Sequence, residues 1–334
     1  MLKPAKKSDI VYSVLTKLIR EIKIMKTLEM IVPCFNESDV LDLFYKEVTP
    51  VMQSLDGYDY SFIFVNDGSR DDTLKIIKAL AEKDERVKYI SFSRNFGKEA
   101  AMLSGLRYSS AEYVGILDAD LQHSPALIPE MLEALEEGYD VAAAKRSDRK
   151  GESGLKSFLS DSFYKVANKM TEVEIDNGAQ DFRIMKRKVV EAMLSMTEHN
   201  RFTKGIFSWV GFKTKWFPHE NRERAAGNTK WNIKKLLKYA IDGILSYCNS
   251  PLRLPIYLGG LSGAAGLIYF IVFLILRYGV SKPLSGLHVV LAALLVIGGI
   301  IMACLGIIGE YLARIYEEVK GRPVFIVDET NIEK

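Results

Sequence analysis

An apolar run, Tyr113-Val114-Gly115-Ile116-Leu117, ends in Asp118 and Asp120, two carboxylates at i, i+2, with the carboxamide of Gln122 two residues further on. Alternate residues of a strand point to opposite faces, but where the strand breaks into a loop both carboxylates can turn toward one hard cation. Mg²⁺ or Mn²⁺ held by so few carboxylates takes its remaining ligands from water and phosphate oxygens. The motif therefore reads as a metal site for a phosphorylated substrate, with Gln122 as a neutral oxygen ligand and His123 not needed. An isolated Asp-x-Asp is also an ordinary polar turn closing a buried strand, so the surrounding chain must decide.

Such a pair needs a rigid edge to stand on. Apolar stretches at 28–32, 60–65, 87–92, 113–117 and 140–144 alternate with helical patterns, which predicts an α/β domain on a mostly parallel sheet. Ligands of open sheets of this kind bind beyond the carboxyl ends of the strands. Polar clusters stand at that edge after each of the first four strands: Pro33-Cys34-Phe35-Asn36-Glu37, Asn66-Asp67-Gly68-Ser69, Ser93-Arg94-Asn95-Phe96-Gly97-Lys98 and Asp118-Ala119-Asp120. Any one of them is an ordinary turn or cap, with Ser38 and Asp71 as capping residues. In order along one sheet edge they make a site.

The chain of 334 residues has room for a catalytic domain and more, and its net charge of +3 argues against a nucleic-acid partner. Cys34, Cys248 and Cys304 are scattered, odd in number and without a Cys-x-x-Cys, so neither a disulfide framework nor a zinc site is predicted, which fits a reducing compartment. Near Pro255 the composition turns apolar. With His288 taken as neutral, 256–276 and 288–309 carry no formal charge, and each has the roughly 20 residues that cross about 30 Å of hydrocarbon. A transmembrane hairpin is the reading; a buried helical hairpin is its rival. Gly259, Gly263, Gly299, Ala303 and Gly306 give small faces on which these helices, or neighbouring subunits, can approach closely.

Orientation follows from the flanks. Lys230, Lys234, Lys235, Lys238 and Arg253 precede the first span and Arg314, Lys320 and Arg322 follow the second, against Arg277 and Lys282 between them, which predicts cytoplasmic termini. No signal peptide is predicted. Residues 10–26 form a basic amphipathic pattern that either lies on an anionic membrane or docks on the globular domain. A second such pattern at 231–247 sets Leu236, Leu237, Ala240, Ile241, Ile244 and Leu245 opposite Lys234, Lys235 and Lys238, as in a helix lying among lipid headgroups or packed on a core.

Segments 33–37, 66–72, 93–105, 118–122, Gln180-Asp181-Phe182-Arg183 and 224–231 together resemble the family 2 glycosyltransferases that charge polyisoprenyl phosphates, the dolichol-phosphate mannose synthase and bactoprenol glucosyltransferase type. The similarity extends over nearly all of 25–322 and includes both C-terminal spans. It implies a GT-A, Rossmann-like catalytic domain, a nucleotide-sugar donor, Mg²⁺ or Mn²⁺, and inverting transfer of one sugar to a lipid phosphate. The resulting organisation is a basic extension at 1–26, a catalytic domain at 27–230, an interfacial amphipathic helix at 231–254, a membrane hairpin at 255–310 and a cytoplasmic tail at 311–334, in the inner (cytoplasmic) membrane.

Residue by residue, the resemblance implies that Pro33, Glu37, Asp67, Lys98 and Asp118 hold the nucleotide. It places Asp118, Asp120 and Gln122 around the metal, and Arg146, Arg224 and Lys230 on phosphate. Asp181 matches the family's proposed catalytic base, and Arg183, two residues on, faces the same pocket if this segment is extended. A lipid monophosphate has a second pKa of about 6 and is already a charged nucleophile at neutral pH. Asp181 is therefore expected mainly to orient the acceptor phosphate, with a loop-pinning salt bridge to Arg183 as the alternative.

Two other functions compete. A processive polysaccharide synthase shares the fold, but no Gln-x-x-Arg-Trp motif is present and two spans are too few for a polymer channel. A non-catalytic membrane scaffold for a glycosylation complex predicts loss of the metal carboxylates, which are intact. UDP-glucose is the expected donor, ahead of UDP-N-acetylglucosamine and GDP-mannose, and undecaprenyl phosphate the expected acceptor. Further expected partners are the membrane, other copies of the chain (tetramers occur in this branch) and a downstream flippase.

Overall fold

The computed structural model describes residues 25–146, 178–199, 201–219, 254–275 and 286–333. Strands β1 (Lys26–Cys34), β2 (Tyr58–Asn66), β3 (Val87–Phe92), β4 (Tyr113–Ile116), β5 (Val141–Arg146), β6 (Ala179–Lys186), β7 (Thr214–His219) and β8 (Val327–Thr330) form one sheet in the order β7-β5-β6-β4-β1-β2-β3-β8. The centre, β4-β1-β2-β3, is parallel, as the alternating pattern predicts. Toward the sides the sheet is mixed: β6 runs antiparallel to both β4 and β5, and β8 antiparallel to β3.

The central strands are apolar on both faces because helices cover both. Leu28, Met30 and Val32 of β1 enter one cluster with Phe62 and Phe64, against Leu41, Phe44, Val48 and Met52 of helix α1 (Leu41–Gln53). Residues Ile77 and Leu80 of α2 (Thr73–Lys83) and Met131 and Leu135 of α4 (Ile128–Glu136) join that side. On the opposite face Ile31, Ile63, Val65 and Ile90 meet α3 (Lys98–Tyr108), α5 (Arg187–Ser195) and α6 (Thr203–Trp209). Helix α3 is buried from Ala100 to Leu106, and its small residues let it lie close to β1.

Gly105 marks the tightest point of that approach, since a Cβ there would stand 2.3 Å from Cγ2 of Ile31. Alanine is the better helix former by about 1 kcal/mol. Ile31 is fully buried and β-branched, however, so it cannot swing clear. Gly105→Ala is therefore expected to be destabilising by about 1–2 kcal/mol net, lowering the melting temperature in detergent by several degrees.

The two edges of the sheet are built differently. At the amino edge Glu29, 4 % exposed, takes Nζ of Lys88 (2.6 Å) and the amides of Ser110 and Ala111 (3.0 and 3.3 Å). Burial raises the pKa of its carboxyl, but Lys88 and the surrounding donors outweigh that and hold it below the ordinary value. These bonds lock the fold. The carboxyl edge instead ends in half-exposed polar loops.

Two apolar helices follow the α/β domain, α7 (Leu254–Leu274) and α8 (Gly286–Lys320), and they pack on each other. Within α8, Val296–Lys320 has a stretch of mean hydropathy 2.0 with none of it buried. The helix continues past residue 309, where its charge-free part ends. Its 35 residues span about 52 Å, longer than the roughly 30 Å thickness of a bilayer's hydrocarbon, and its last turns form a charged stalk. The segment at 311–334 is more than a tail, because it completes the stalk and returns to the sheet as β8. The amphipathic stretches at 231–247 and, up to residue 24, at 10–26 lie outside the described residues, as do Arg224 and Lys230.

Candidate active site

The carboxyl edge is organised around buried or half-buried carboxylates that collect backbone amides. Asp67, 3 % exposed, follows β2. Its carboxylate accepts the amides of Phe96 (2.6 Å) and Gly97 (3.0 Å) and Nδ2 of Asn95 (2.8 Å), tying the loop after β3 to the loop after β2. Burial pushes its carboxyl up to about 6, the amides of Phe96 and Gly97 and the charge of Arg94 acting the other way. Gly68, at φ +62°, makes the close approach possible: a Cβ would lie 2.3 Å from the carbonyl carbon of Arg94.

The loop after β1 is tied into the same arrangement. Asn36 sits in the left-handed region at φ +52°. Its amide donates to Oγ of Ser69 (3.0 Å), and its Oδ1 accepts the amide of Arg70 (2.8 Å). The amide of Glu37 donates to Oγ1 of Thr73 (2.9 Å), and Pro33 stands in β1 opposite Val65 of β2. Asp71 accepts the amides of Thr73 (3.1 Å) and Ser38 (3.2 Å) and so holds the β1 loop to the start of α2; the N-cap positions of α1 and α2 are Val40 and Asp72, neither with a side-chain cap bond, rather than Ser38 and Asp71. The residues read as nucleotide contacts thus stand along one edge, where the amide of Asp67 donates to the carbonyl of Cys34 (2.8 Å), next to Pro33.

Asp118 and Asp120 follow β4 on a tight turn in which Leu121, at φ +56°, takes a conformation uncommon for a side chain of its size. Oδ1 of Asp120 accepts the amide of Gln122 (3.2 Å). Nζ of Lys98, at the start of α3, lies 2.7 Å from Asp118 and 2.6 Å from Asp181 and so bridges the two carboxylates. Burial opposes the charge on Lys98, but Asp118 and Asp181 more than offset it and hold the ammonium's pKa above its ordinary value. The sequence places Lys98 with the nucleotide; its link to Asp181, 83 residues away, is visible only in the fold.

Asp181 and Arg183 lie in β6, and this extended segment puts both on the α3 and α6 side of the sheet. Burial acts to raise the pKa of Asp181, but Lys98, Lys204 and Arg183 together hold it well below the usual carboxylate range. Arg183, 2 % exposed, donates to the carbonyls of Gln180 (2.5 Å) and Asp181 (3.3 Å) and rests its guanidinium 3.2 Å from the centre of the Phe207 ring. Burial brings its pKa down to about 9, against the opposing charges of Asp181 and Glu99. With Lys204, Phe207 and Trp216 it lines a cavity of about 210 Å³. Arg146 ends β5, where its amide donates to the carbonyl of Gly178 (3.0 Å).

Three residues at this edge have no individual signal in the sequence. Nδ1 of His123 lies 2.9 Å from Nε2 of His219 at the end of β7, and the His123 ring stacks on Phe182. Burial takes the His123 pKa down to about 4, with His219 contributing and Asp118 opposing. Glu99 accepts the amide of Thr203 (3.1 Å) and its hydroxyl, which anchors α6 to α3. Burial pushes the Glu99 carboxyl up to about 7, Thr203 pulling against it and Asp181 adding to the rise.

A carboxyl with a raised folded-state pKa contributes stability below its unfolded pKa and loses it as pH rises through the folded value. For Glu99 that window runs from 4.5 to about 7. Glu99→Gln keeps an acceptor for Thr203 without the charge. It is expected to melt about 4 °C above the parent protein at pH 8, with the difference nearly gone at pH 5. Equal melting temperatures at both pH values would show that Glu99 carries no buried charge.

The donor set expected for a cation, Asp118, Asp120 and Gln122, is oxygen throughout. Among the described residues no third carboxylate, histidine or cysteine completes a protein cage with them. That suits Mg²⁺ or Mn²⁺, which complete their shells with water and phosphate oxygens, and does not suit a structural zinc. The Lys98 ammonium held between Asp118 and Asp181 shows that this edge attracts positive charge.

The chain is similar to known proteins. The model of "Glycosyl transferase family 2" matches residues 30–194, and that of the "GtrB C-terminal hairpin" matches residues 250–315. The putative glycosyltransferase CsbB of Bacillus subtilis (strain 168) is 44% identical over 307 residues, covering 91% of this chain and 92% of its own. The SfII prophage-derived bactoprenol glucosyl transferase of Shigella flexneri is 39% identical over 304 residues, covering 91% and 98%. Among solved structures, glucosyl-3-phosphoglycerate synthase from Mycobacterium tuberculosis, crystallised with Mn²⁺, UDP-glucose and glycerol 3-phosphate, superposes with a TM-score of 0.43 at 18% identity, covering 67% of this chain and 80% of its own.

Proposed function

This chain belongs to the family 2 glycosyltransferases that charge polyisoprenyl phosphates, and from that membership we propose that it transfers one glucosyl residue from UDP-glucose to undecaprenyl phosphate, with inversion, at the cytoplasmic face of a membrane. The observation that carries the reading is the Lys98 bridge. It ties the first carboxylate of the Asp-x-Asp turn to Asp181, so the donor edge and the acceptor residue form one charged unit. The apolar helices supply the second requirement, since a lipid acceptor cannot leave the bilayer and its catalyst must be held there.

In this reading Asp67 and the loops that it ties together hold the nucleoside, with Pro33 and Glu37. Asp118, Asp120 and Gln122 would hold Mg²⁺ or Mn²⁺, which when bound neutralises the diphosphate and the charge gathering on the departing nucleotide. Lys98 orients Asp118 and keeps Asp181 ionised. A carboxylate held below its usual range is a weak proton acceptor, so Asp181 orients the acceptor phosphate, together with Arg183 and the cations at Arg146, Arg224 and Lys230. The hairpin crosses the membrane twice with both termini cytoplasmic, copies of the chain associate through its small-residue faces, and a flippase carries the product across.

The test is transfer from radiolabelled UDP-glucose, UDP-N-acetylglucosamine and GDP-mannose to undecaprenyl phosphate, using the full chain in detergent with Mg²⁺ or Mn²⁺. A single labelled lipid from UDP-glucose is expected. A labelled lipid from another donor would replace the sugar and keep the reaction. No product from any donor, with the protein folded, would put the scaffold reading in its place.

A further inference from the structure

The C-terminal end of the chain makes contacts that the transfer reaction does not by itself require. Near the end of the α8 stalk, Oε1 of Glu318 accepts the amide of His199 (2.7 Å). Gly321, at φ +59°, ends the helix in the left-handed conformation common at that position, and the chain turns back to the sheet. There the amide of Ser93 donates to the carbonyl of Ile326 (3.1 Å), and β8 pairs with β3. Glu329 takes Nζ of Lys78 (2.7 Å), while the side chain of Asn331 accepts the amide of Tyr89 (2.7 Å) and donates to the carbonyl of Val87 (3.1 Å).

The strap runs on toward the donor site through aromatic rings. Phe325 stacks on Phe92 with centroids 5.0 Å apart and planes 15° apart, and Arg107 lies over its ring. Phe92 meets Phe96 edge-on at 5.8 Å. Phe96 and Gly97 give their amides to Asp67. Ser93, Arg94 and Asn95 are exposed, and the loop at 93–97 is held by the Ser93 amide on Ile326 at its start, by the Asp67 carboxylate from Asn95 to Gly97, and by the Phe92–Phe96 contact. Each loop residue costs about 1–2 kcal/mol to order, so a partner that steadies Phe92 bears on the whole loop.

We infer that Phe325 and β8 form a positioning element of the donor site: by bracing β3 and Phe92 they order the loop at 93–97, and through it Asp67, so that donor affinity depends on the segment returning from the membrane helix. The inference rests on the proposed reading of Asp67 as a nucleoside contact. It also accounts for a β3 edge that is covered rather than left open.

The full chain in detergent, with Phe325 replaced by alanine, leucine or tyrosine, tests it through donor KM, kcat and amide exchange. Phe325→Ala is expected to raise the donor KM about tenfold, with kcat and the lipid-acceptor KM within about twofold, as loss of an aromatic contact would predict. Exchange of the Phe96 and Gly97 amides should quicken about tenfold while β1 keeps its protection. Phe325→Leu should show a smaller change of the same kind and serves if the alanine variant does not fold; Phe325→Tyr should restore the parent values. A fall in kcat at unchanged donor KM, or faster exchange in β1 as well, would reduce the strap to a stabilising role and overturn the inference. Absence of transfer by the parent protein would defeat the proposed reaction instead, and the exchange comparison would still decide whether the strap orders the loop.

Discussion

Changing Asp120 to alanine is expected to lower sugar transfer by about a thousandfold or more while leaving the protein folded and in the membrane. The size follows from its position. Asp120 stands on the strained turn at Leu121, half-exposed, with one oxygen engaged by the amide of Gln122. It contributes little to the core, so its removal should shift the melting temperature by no more than a degree or two, as for surface substitutions. In the proposed reading it supplies charge at the sheet edge where a nucleoside diphosphate would lie. Transfer of labelled sugar to lipid, beside a melting curve on the same sample, separates the two effects. Retention of a tenth of the parent rate would remove Asp120 from the cation site. Chelation of divalent metal should reproduce the loss in the parent protein and be reversed by Mg²⁺ or Mn²⁺.

Replacing Lys98 with methionine is expected to cost about a hundredfold in kcat and to make the remaining rate depend on pH. Methionine keeps the length of the side chain but leaves Asp118 and Asp181 facing each other without the ammonium that lies 2.7 and 2.6 Å from them. In the parent protein Asp181 is held well below the usual carboxylate range despite its burial, so it stays ionised throughout the working pH range. Without Lys98 the burial is no longer offset by that charge and the pKa of Asp181 rises. A depressed carboxyl contributes in its ionised form and loses that contribution as pH falls through its folded pKa, so raising this pKa moves the loss upward in pH. Rates of the variant at saturating donor should therefore fall between pH 8 and pH 5 more steeply than those of the parent. A pH profile parallel to the parent's, or a rate within threefold of it, would show that Lys98 does not govern Asp181.

Much of this arrangement is legible along the chain. The apolar runs behind β1 to β5 lie within or close to the observed strands, because strands covered on both faces must be apolar throughout. Asp118 and Asp120 stand out because two carboxylates directly after such a run have no role in a core. β6 is different: its interest lies in the pair Asp181 and Arg183, and its strand character becomes plain only from its pairing with β4 and β5. β8 is four residues, Val-Asp-Glu-Thr, with no apolar alternation, and it forms because β3 presents an open edge to it. His219 and Glu99 are likewise unremarkable until β7 brings one beside His123 and α6 sets Thr203 on the other.

The sequence by itself determined the residue types on offer: carboxylates directly after an apolar strand at one sheet edge, and charge-free segments long enough for a bilayer. Those properties depend on local composition and period, which burial and hydration read residue by residue. Only the tertiary structure decided the pairings, above all Lys98 with both Asp118 and Asp181, and Phe325 with Phe92. A contact between residues 20 positions apart, as for Lys98 and Asp118, or 83 and more, as for Lys98 with Asp181 and Phe325 with Phe92, depends on which strands become neighbours, and that is settled by the packing of the whole sheet rather than by any property of the two residues.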